Sequence, residues 1–178
     1  MAQAYETQAR LAAALHEPKE RFAIRVIKVI GDQILDRALA EAGGKGLFTK
    51  EIDEAQLAGE VDISVHSGKD MPTKLPVGLV EGGFLEREDP RDAFMCLKAK
   101  SFMDLPVGAI VGTASLRRQA MVRRLRPDLR VELLRGNVQT RLAKLKSGEV
   151  DATILALAGL NRLGLCLLYT SPSPRDRG

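Results

Sequence analysis

Ala109-Ile110-Val111-Gly112-Thr113-Ala114-Ser115-Leu116-Arg117-Arg118 passes from a short apolar run through a small-residue turn into a helix-forming stretch that continues to Arg126. The same order recurs downstream. Val131 to Leu134 reads as a strand, Arg135-Gly136-Asn137 as a turn and Val138 to Lys146 as a helix. Ala152 to Leu157 reads as a third strand, and Ala158 to Gly164 opens another helix. Strands alternating with helices at this spacing predict a parallel sheet with right-handed crossovers, because a parallel return needs a connection long enough to cross the sheet. The fold class is α/β.

The turns carry the chemistry. Arg117 and Arg118 fall in the first turn of a helix, where the macrodipole disfavours each cation by about 0.3–1 kcal/mol. Beside them stand free helix N–H groups and the hydroxyls of Thr113 and Ser115, which together make an anion site. Arg135 ends the next strand and Arg141 sits one turn into its helix, so four guanidiniums are expected at one sheet edge. Ligands of open α/β sheets bind at that edge, and the guanidinium fork suits carboxylates. Singly, each arginine reads as solvated or salt-bridged rather than functional; the convergence of four points to a ligand role. Arg123, Arg124, Arg126 and Arg130 need no ligand and read as a solvated face.

Working back toward the amino end, Val61 to Val65 reads as a buried strand delivering Ser67, Lys69 and Asp70 at its carboxyl end, before the turn at Pro72. A carboxylate beside an ammonium, with a hydroxyl and His66 nearby, can pass a proton or stabilise a cation. A solvated turn would carry the same residues. Asp70 is expected to face the arginines across a cleft. Ahead of it, Ala2 to Leu15 is helix-forming, Phe22 to Ile30 reads as a strand and Glu51 to Ala58 as a helix. Gly43-Gly44-Lys45-Gly46-Leu47-Phe48-Thr49-Lys50 lacks the spacing of a nucleotide P-loop. It is either a mobile backbone presenting Lys45 or Lys50 to a carboxylate, or a plain interhelical loop. The charged stretch from Phe84 to Phe94, around Pro90, reads as a hinge between lobes.

Composition narrows the class. The 178 residues suffice for one large domain or two small lobes, and 45% hydrophobic content provides a core. No apolar run reaches the roughly 18 residues of a membrane helix, and the amino end lacks the pattern of a secretory signal. Cys96, Cys166, His16 and His66 show no metal-ligand spacing, so zinc is not expected, and reduced thiols point to the cytosol. Residues 1–88 hold 11 Lys and Arg against 15 Asp and Glu, a net of −4; residues 89–178 hold 16 against 8, a net of +8, giving +4 in all. The basic half is expected to hold an anionic ligand. Aromatics at 4%, with none interleaved among the basic residues, argue against nucleic acid.

Six segments taken together, GDQILDRALAEAGGKGLFTKEID, VDISVHSGKDMPT, EREDPRDAF, IVGTASLRRQ, LRGNVQTRLAKL and DATILALAGLNRLGL, resemble the porphobilinogen deaminase (hydroxymethylbilane synthase) family in order, from about residue 2 to Leu165. The resemblance implies a cytoplasmic, monomeric transferase of tetrapyrrole synthesis that polymerises four porphobilinogen into hydroxymethylbilane, releasing ammonia. It implies two lobes resembling type II periplasmic binding proteins, with parallel or mixed sheets flanked by helices, and a third domain whose cysteine carries a dipyrromethane cofactor. By motif, Asp70 is similar to the catalytic carboxylate. Ser67, Lys69, Thr113, Ser115, Arg117, Arg118, Arg135, Gly136 and Arg141 are similar to the binders of cofactor and substrate acid groups. Lys45 and Lys50 fall in the stretch similar to the active-site loop.

The departures are equally specific. The family usually has methionine where Gly68 stands. Its opening strand and its third domain, with the cofactor cysteine, are expected to be missing here, leaving residues 1–86 as a first lobe, 87–93 as the hinge and 94–165 as an incomplete second lobe. Residues 166–178, rich in Ser, Pro and Arg, read as a disordered tail foreign to the family. The expectation is a fragment without turnover. The competing reading is a non-catalytic polycarboxylate-binding module of the periplasmic-binding type, which the lack of an export signal and the presence of Asp70 disfavour.

Overall fold

Ala-rich sequence without internal Gly or Pro makes Ala2–Leu15 a helix, α1, which stops where His16 takes a left-handed φ of 54° and Pro18 follows two residues later. The structure is a computed structural model; it describes residues 1–29 and 49–165, and the backbone of residues 171–172. Contacts between Cα atoms divide the chain into two units, Met1–Glu86 and Arg87–Gly178.

Among the described residues of the first unit, α1 is followed by a 3-10 turn at Lys19–Arg21 and by α2, Lys50–Leu57. Two expected strands are not formed. Residues 22–29 carry no strand, and Ile30 lies outside the described residues. Residues 61–65 carry none either, and Ile63 and Val65 are exposed. β-branched composition marks a chain suited to a sheet, but a strand exists only through hydrogen bonds to a neighbour. Among the described residues of this unit no ladder is made. Gln56 of α2 meets the segment with its side chain: its amide donates to the Asp62 carbonyl at 3.2 Å and accepts from Ser64 Oγ at 2.7 Å.

The second unit contains the sheet, in the order β3-β2-β4-β1-β5, made of β1 Asp92–Cys96, β2 Ile110–Gly112, β3 Arg130–Glu132, β4 Ala152–Ala156 and β5 Ser171–Pro172. β2 runs parallel to β3 and β4, as the strand–helix alternation requires. β1 runs antiparallel to β4 and β5, so the sheet is mixed rather than wholly parallel. The stretch 87–93 runs into this strand, Asp92 and Ala93 being its first two residues. β5 places residues 171–172 in the sheet, although the tail was expected to be disordered. An outer strand accepts an extended partner, and proline in sheets is confined to such edge positions.

Both sheet faces are covered, and successive residues alternate between them. Phe94, Val111, Ala152 and Ile154 pack with Phe102, Leu105, Leu129 and Val122, the last from α3, Leu116–Leu125. Ala93, Met95 and Leu155 pack with Leu134, with Leu142 and Leu145 of α4, Val138–Ser147, and with Leu160 of α5, Leu157–Arg162. Phe94 meets Phe102 edge-on with ring centres 5.9 Å apart. Each Phe, Leu, Ile, Val or Met side chain among these taken fully from water is worth about 1.5–3 kcal/mol. Arg126, expected on a solvated face, is instead drawn in. It pairs with Asp128 and donates to the carbonyls of Met103 and Leu105 at 2.8 Å each, closing the loop before β2.

Candidate functional site

The C-terminal ends of β2, β3 and β4 share one edge because the three strands are parallel. Antiparallel β1 enters the sheet at that edge, its first residue Asp92 lying opposite Ala156, the last of β4. A carboxylate is thereby built into the place where the arginine-bearing turns leave the sheet.

After β2 the chain turns sharply. A Cβ on Gly112 would lie 2.8 Å from Leu134 Cδ2 and 2.9 Å from Val150 Cγ1, so only glycine lets β2 run this close to its neighbours. Thr113 is buried; its hydroxyl oxygen accepts from the Ser115 N–H at 3.2 Å. Ser115 caps α3, its Oγ accepting from the Arg118 N–H. Each hydroxyl thus accepts locally and keeps its own proton to donate. After β3, Gly136 adopts a φ of 112°, and a Cβ there would lie 2.7 Å from Thr140 Cγ2, so glycine is required for both conformation and space. Asn137 caps α4 by accepting from the Thr140 N–H at 2.8 Å. The turn aims the Gly136 carbonyl at Arg141, whose Nε donates to it at 2.8 Å.

Arg118 donates to Asp92 Oδ1 at 2.6 Å and to the Ile154 carbonyl at 3.2 Å, while its Nε is buried with no hydrogen-bond partner. Arg117 reaches Asp92 Oδ2 at 3.3 Å. Burial alone would raise the Asp92 pKa, but the hydrogen bond and charge of Arg118, with those of Arg117, hold it below the ordinary carboxyl value. Arg135 is buried. Arg141 has its pKa lowered, first by burial and then by the positive charges of Arg118 and Arg135. A guanidinium buried beside two others is poorly solvated, an environment that favours an anion next to it.

The first unit holds the remaining expected residues. Ser67 donates its hydroxyl proton to Gln3 Oε1 at 2.9 Å, which ties the segment to α1. Lys69 and Asp70 are exposed on a 3-10 turn, Gly68–Asp70, closed by the Asp70 N–H on the Ser67 carbonyl at 2.8 Å. Lys50 opens α2 on its exposed face, 3.9 Å from Glu54. Lys45 lies outside the described residues. Among the described residues, no group of three His, Cys, Asp or Glu could hold a metal ion.

Asp92 is the member of the cluster that sequence reasoning missed. It stood in a run of charges, Glu86 to Asp92, read as exposed hinge. The signal that could have found it is the uninterrupted apolar run Ala93-Phe94-Met95-Cys96, which marks a buried strand starting at an acid.

The fold and the cluster define a mixed α/β unit that gathers guanidiniums around one buried carboxylate at the carboxyl ends of its parallel strands. The chain belongs to the porphobilinogen deaminase family. The family model described as porphobilinogen deaminase, dipyromethane cofactor binding domain, matches residues 1–173. Over 165 residues the chain is 62% identical to the porphobilinogen deaminase of Nitrobacter hamburgensis and 62% identical to that of Nitrobacter winogradskyi. Each match covers 93% of this chain and 52% of the relative, so the chain spans about half the length of the curated relatives it matches.

Proposed function

We propose that the chain serves tetrapyrrole synthesis as the substrate- and cofactor-binding part of a hydroxymethylbilane synthase, a transferase that joins four porphobilinogen units into hydroxymethylbilane with release of ammonia. Membership of the family supports this, and one observation carries it furthest. Arg141 is buried against the positive charges of Arg118 and Arg135 at the sheet edge, where Arg118 Nε has no hydrogen-bond partner. Porphobilinogen bears acetate and propionate arms, and carboxylates are the groups that guanidinium forks bind bidentately.

The same donor set fits a dipyrromethane bearing carboxylate arms. Arg117, Arg118, Arg135 and Arg141 would hold its acid groups, with the Thr113 and Ser115 hydroxyls as further donors and Gly136 shaping the turn. Ser67 and Lys69 are proposed as additional binders from the first unit, and Lys45 and Lys50 as members of an active-site loop. When bound, the group supplies the nucleophilic pyrrole carbon to which the growing chain is joined. Asp70 is the proposed proton-handling carboxylate, giving a proton to the amine so that it leaves as ammonia, stabilising the cation so formed and accepting the proton that the pyrrole carbon loses after the new bond is made.

The reading includes two lobes like those of type II periplasmic binding proteins, with a hinge at 87–93 and the second lobe over 94–165. It also includes a monomeric, cytoplasmic protein. Among the described residues no helix is long and apolar enough to cross a membrane. A non-catalytic polycarboxylate binder is not favoured, because the relatives are named as deaminases.

The test is Asp70→Asn in a protein extended to the full length of its Nitrobacter relatives. Ammonia release should fall by about 10²–10⁴-fold, with porphobilinogen affinity within about threefold of the parent. Unchanged turnover would remove Asp70 from the chemistry.

A further inference from the structure

The two oxygens of Asp92 serve two arginines on unequal terms. Oδ1 accepts from Arg118 at 2.6 Å, whereas Oδ2 accepts from Arg117 at 3.3 Å. The Arg118 side chain is 12% exposed and is tied a second time to the Ile154 carbonyl. The Arg117 side chain is 47% exposed, and its other contact is the weak acceptor Met121 Sδ at 3.8 Å. Asp92 itself is 5% exposed, so its charge is held by the groups around it rather than by water. An exposed guanidinium with one long contact can leave at little cost.

From this asymmetry we infer that Asp92 is a positioning residue: it fixes Arg118 as an immobile member of the anion site and parks Arg117 as an exchangeable arm that leaves it for a ligand carboxylate or phosphate. Arg118 then meets a ligand with its geometry already set, so little side-chain order remains to be lost there on binding. Arg117 supplies adaptability, which a site accepting acid arms of different lengths requires. The inference rests on reading the cluster as an anion site.

Nitrogen-15 NMR of the arginine Nε–H groups in the whole 178-residue chain tests it. Without ligand, Arg118 should show an ordered, slowly exchanging Nε–H and Arg117 a motionally averaged one. Asp92→Asn should make Arg118 average, and Asp92→Glu should restore its order. Porphobilinogen and inorganic phosphate, added separately, should order Arg117 while leaving Arg118 as it was. Porphobilinogen affinity should fall about tenfold in Asp92→Asn and recover in Asp92→Glu. Equal immobility of the two arginines in the unliganded wild type overturns the inference, and that comparison needs no variant to fold. So does an Arg118 unaffected in Asp92→Asn, or an Arg117 that neither anion orders. Ordering by phosphate alone supports the exchangeable arm while contradicting porphobilinogen as the substrate.

Discussion

Gly112→Ala puts one methyl group where the fold has no room for it. The added Cβ would stand 2.8 Å from Leu134 Cδ2, 2.9 Å from Leu134 Cβ and 2.9 Å from Val150 Cγ1. Ordinary carbon contacts begin near 3.4 Å, so about half an ångström of clearance must come from each neighbour. The Leu134 and Val150 tips could rotate only within a filled core, since both residues are buried. Leu134 Cβ cannot rotate away at all, because it moves only with its backbone. That backbone leads directly from β3, whose register with β2 pairs Gly112 with Glu132. Overpacking of this kind costs about 1–3 kcal/mol, and the contact with Leu134 Cβ, which no rotamer change can move, places this case near 3. For a unit of this size, about 3 kcal/mol lowers Tm by roughly 12–24 °C. Arg135 follows Leu134, so the displacement also reaches the anion site and should weaken porphobilinogen binding. Urea unfolding followed by circular dichroism, paired with calorimetric titration, reads both effects. A stability within about 0.5 kcal/mol of wild type would refute the packing argument.

Asp92→Asn should cost about 1–3 kcal/mol at neutral pH, since it removes the charge from hydrogen bonds to two guanidiniums. The folded-state pKa of Asp92 lies below the ordinary value of 3.8. Its stabilisation is therefore complete above that value and is lost as pH falls through the folded-state pKa, so the gap between the variant and wild type should close below about pH 3.8. A gap that is constant from pH 7 to pH 3 in urea titrations would show that the charge is not what matters. Gly68→Ala should be neutral or stabilising by up to about 1 kcal/mol, because a Cβ there meets nothing within 4 Å and the backbone is not left-handed. A loss above 1 kcal/mol in the same assay would contradict that local geometry.

The second unit was legible because each helix and parallel strand carries its own signal. Ser115 and Asn137 stand at helix starts, and α3 and α4 end within one residue of where their sequences indicate. β1 was harder to see. Its continuous apolar run has no alternation, because both faces of that strand are buried, and the charged stretch before it reads as surface. The extended segments of the first unit show the opposite failure. Residues 22–29 and 61–65 have strand composition, but composition carries no information about a ladder partner. The placement of Arg117 and Arg118 at the start of α3 and of Arg141 one turn into α4 was legible. Their buried counter-ion was not, since the Asp92–Arg118 pairing spans 26 residues and arises only from the antiparallel entry of β1.

The central claim is that the guanidiniums at the sheet edge receive carboxylates. Arg141→Met tests it most directly, because methionine keeps an unbranched apolar stem while removing a cation whose charged form is already disfavoured by burial and by Arg118 and Arg135. Calorimetric titration with porphobilinogen should show affinity reduced at least about tenfold, with stability equal to or above that of wild type. Unchanged affinity in a variant of undiminished stability would contradict the account.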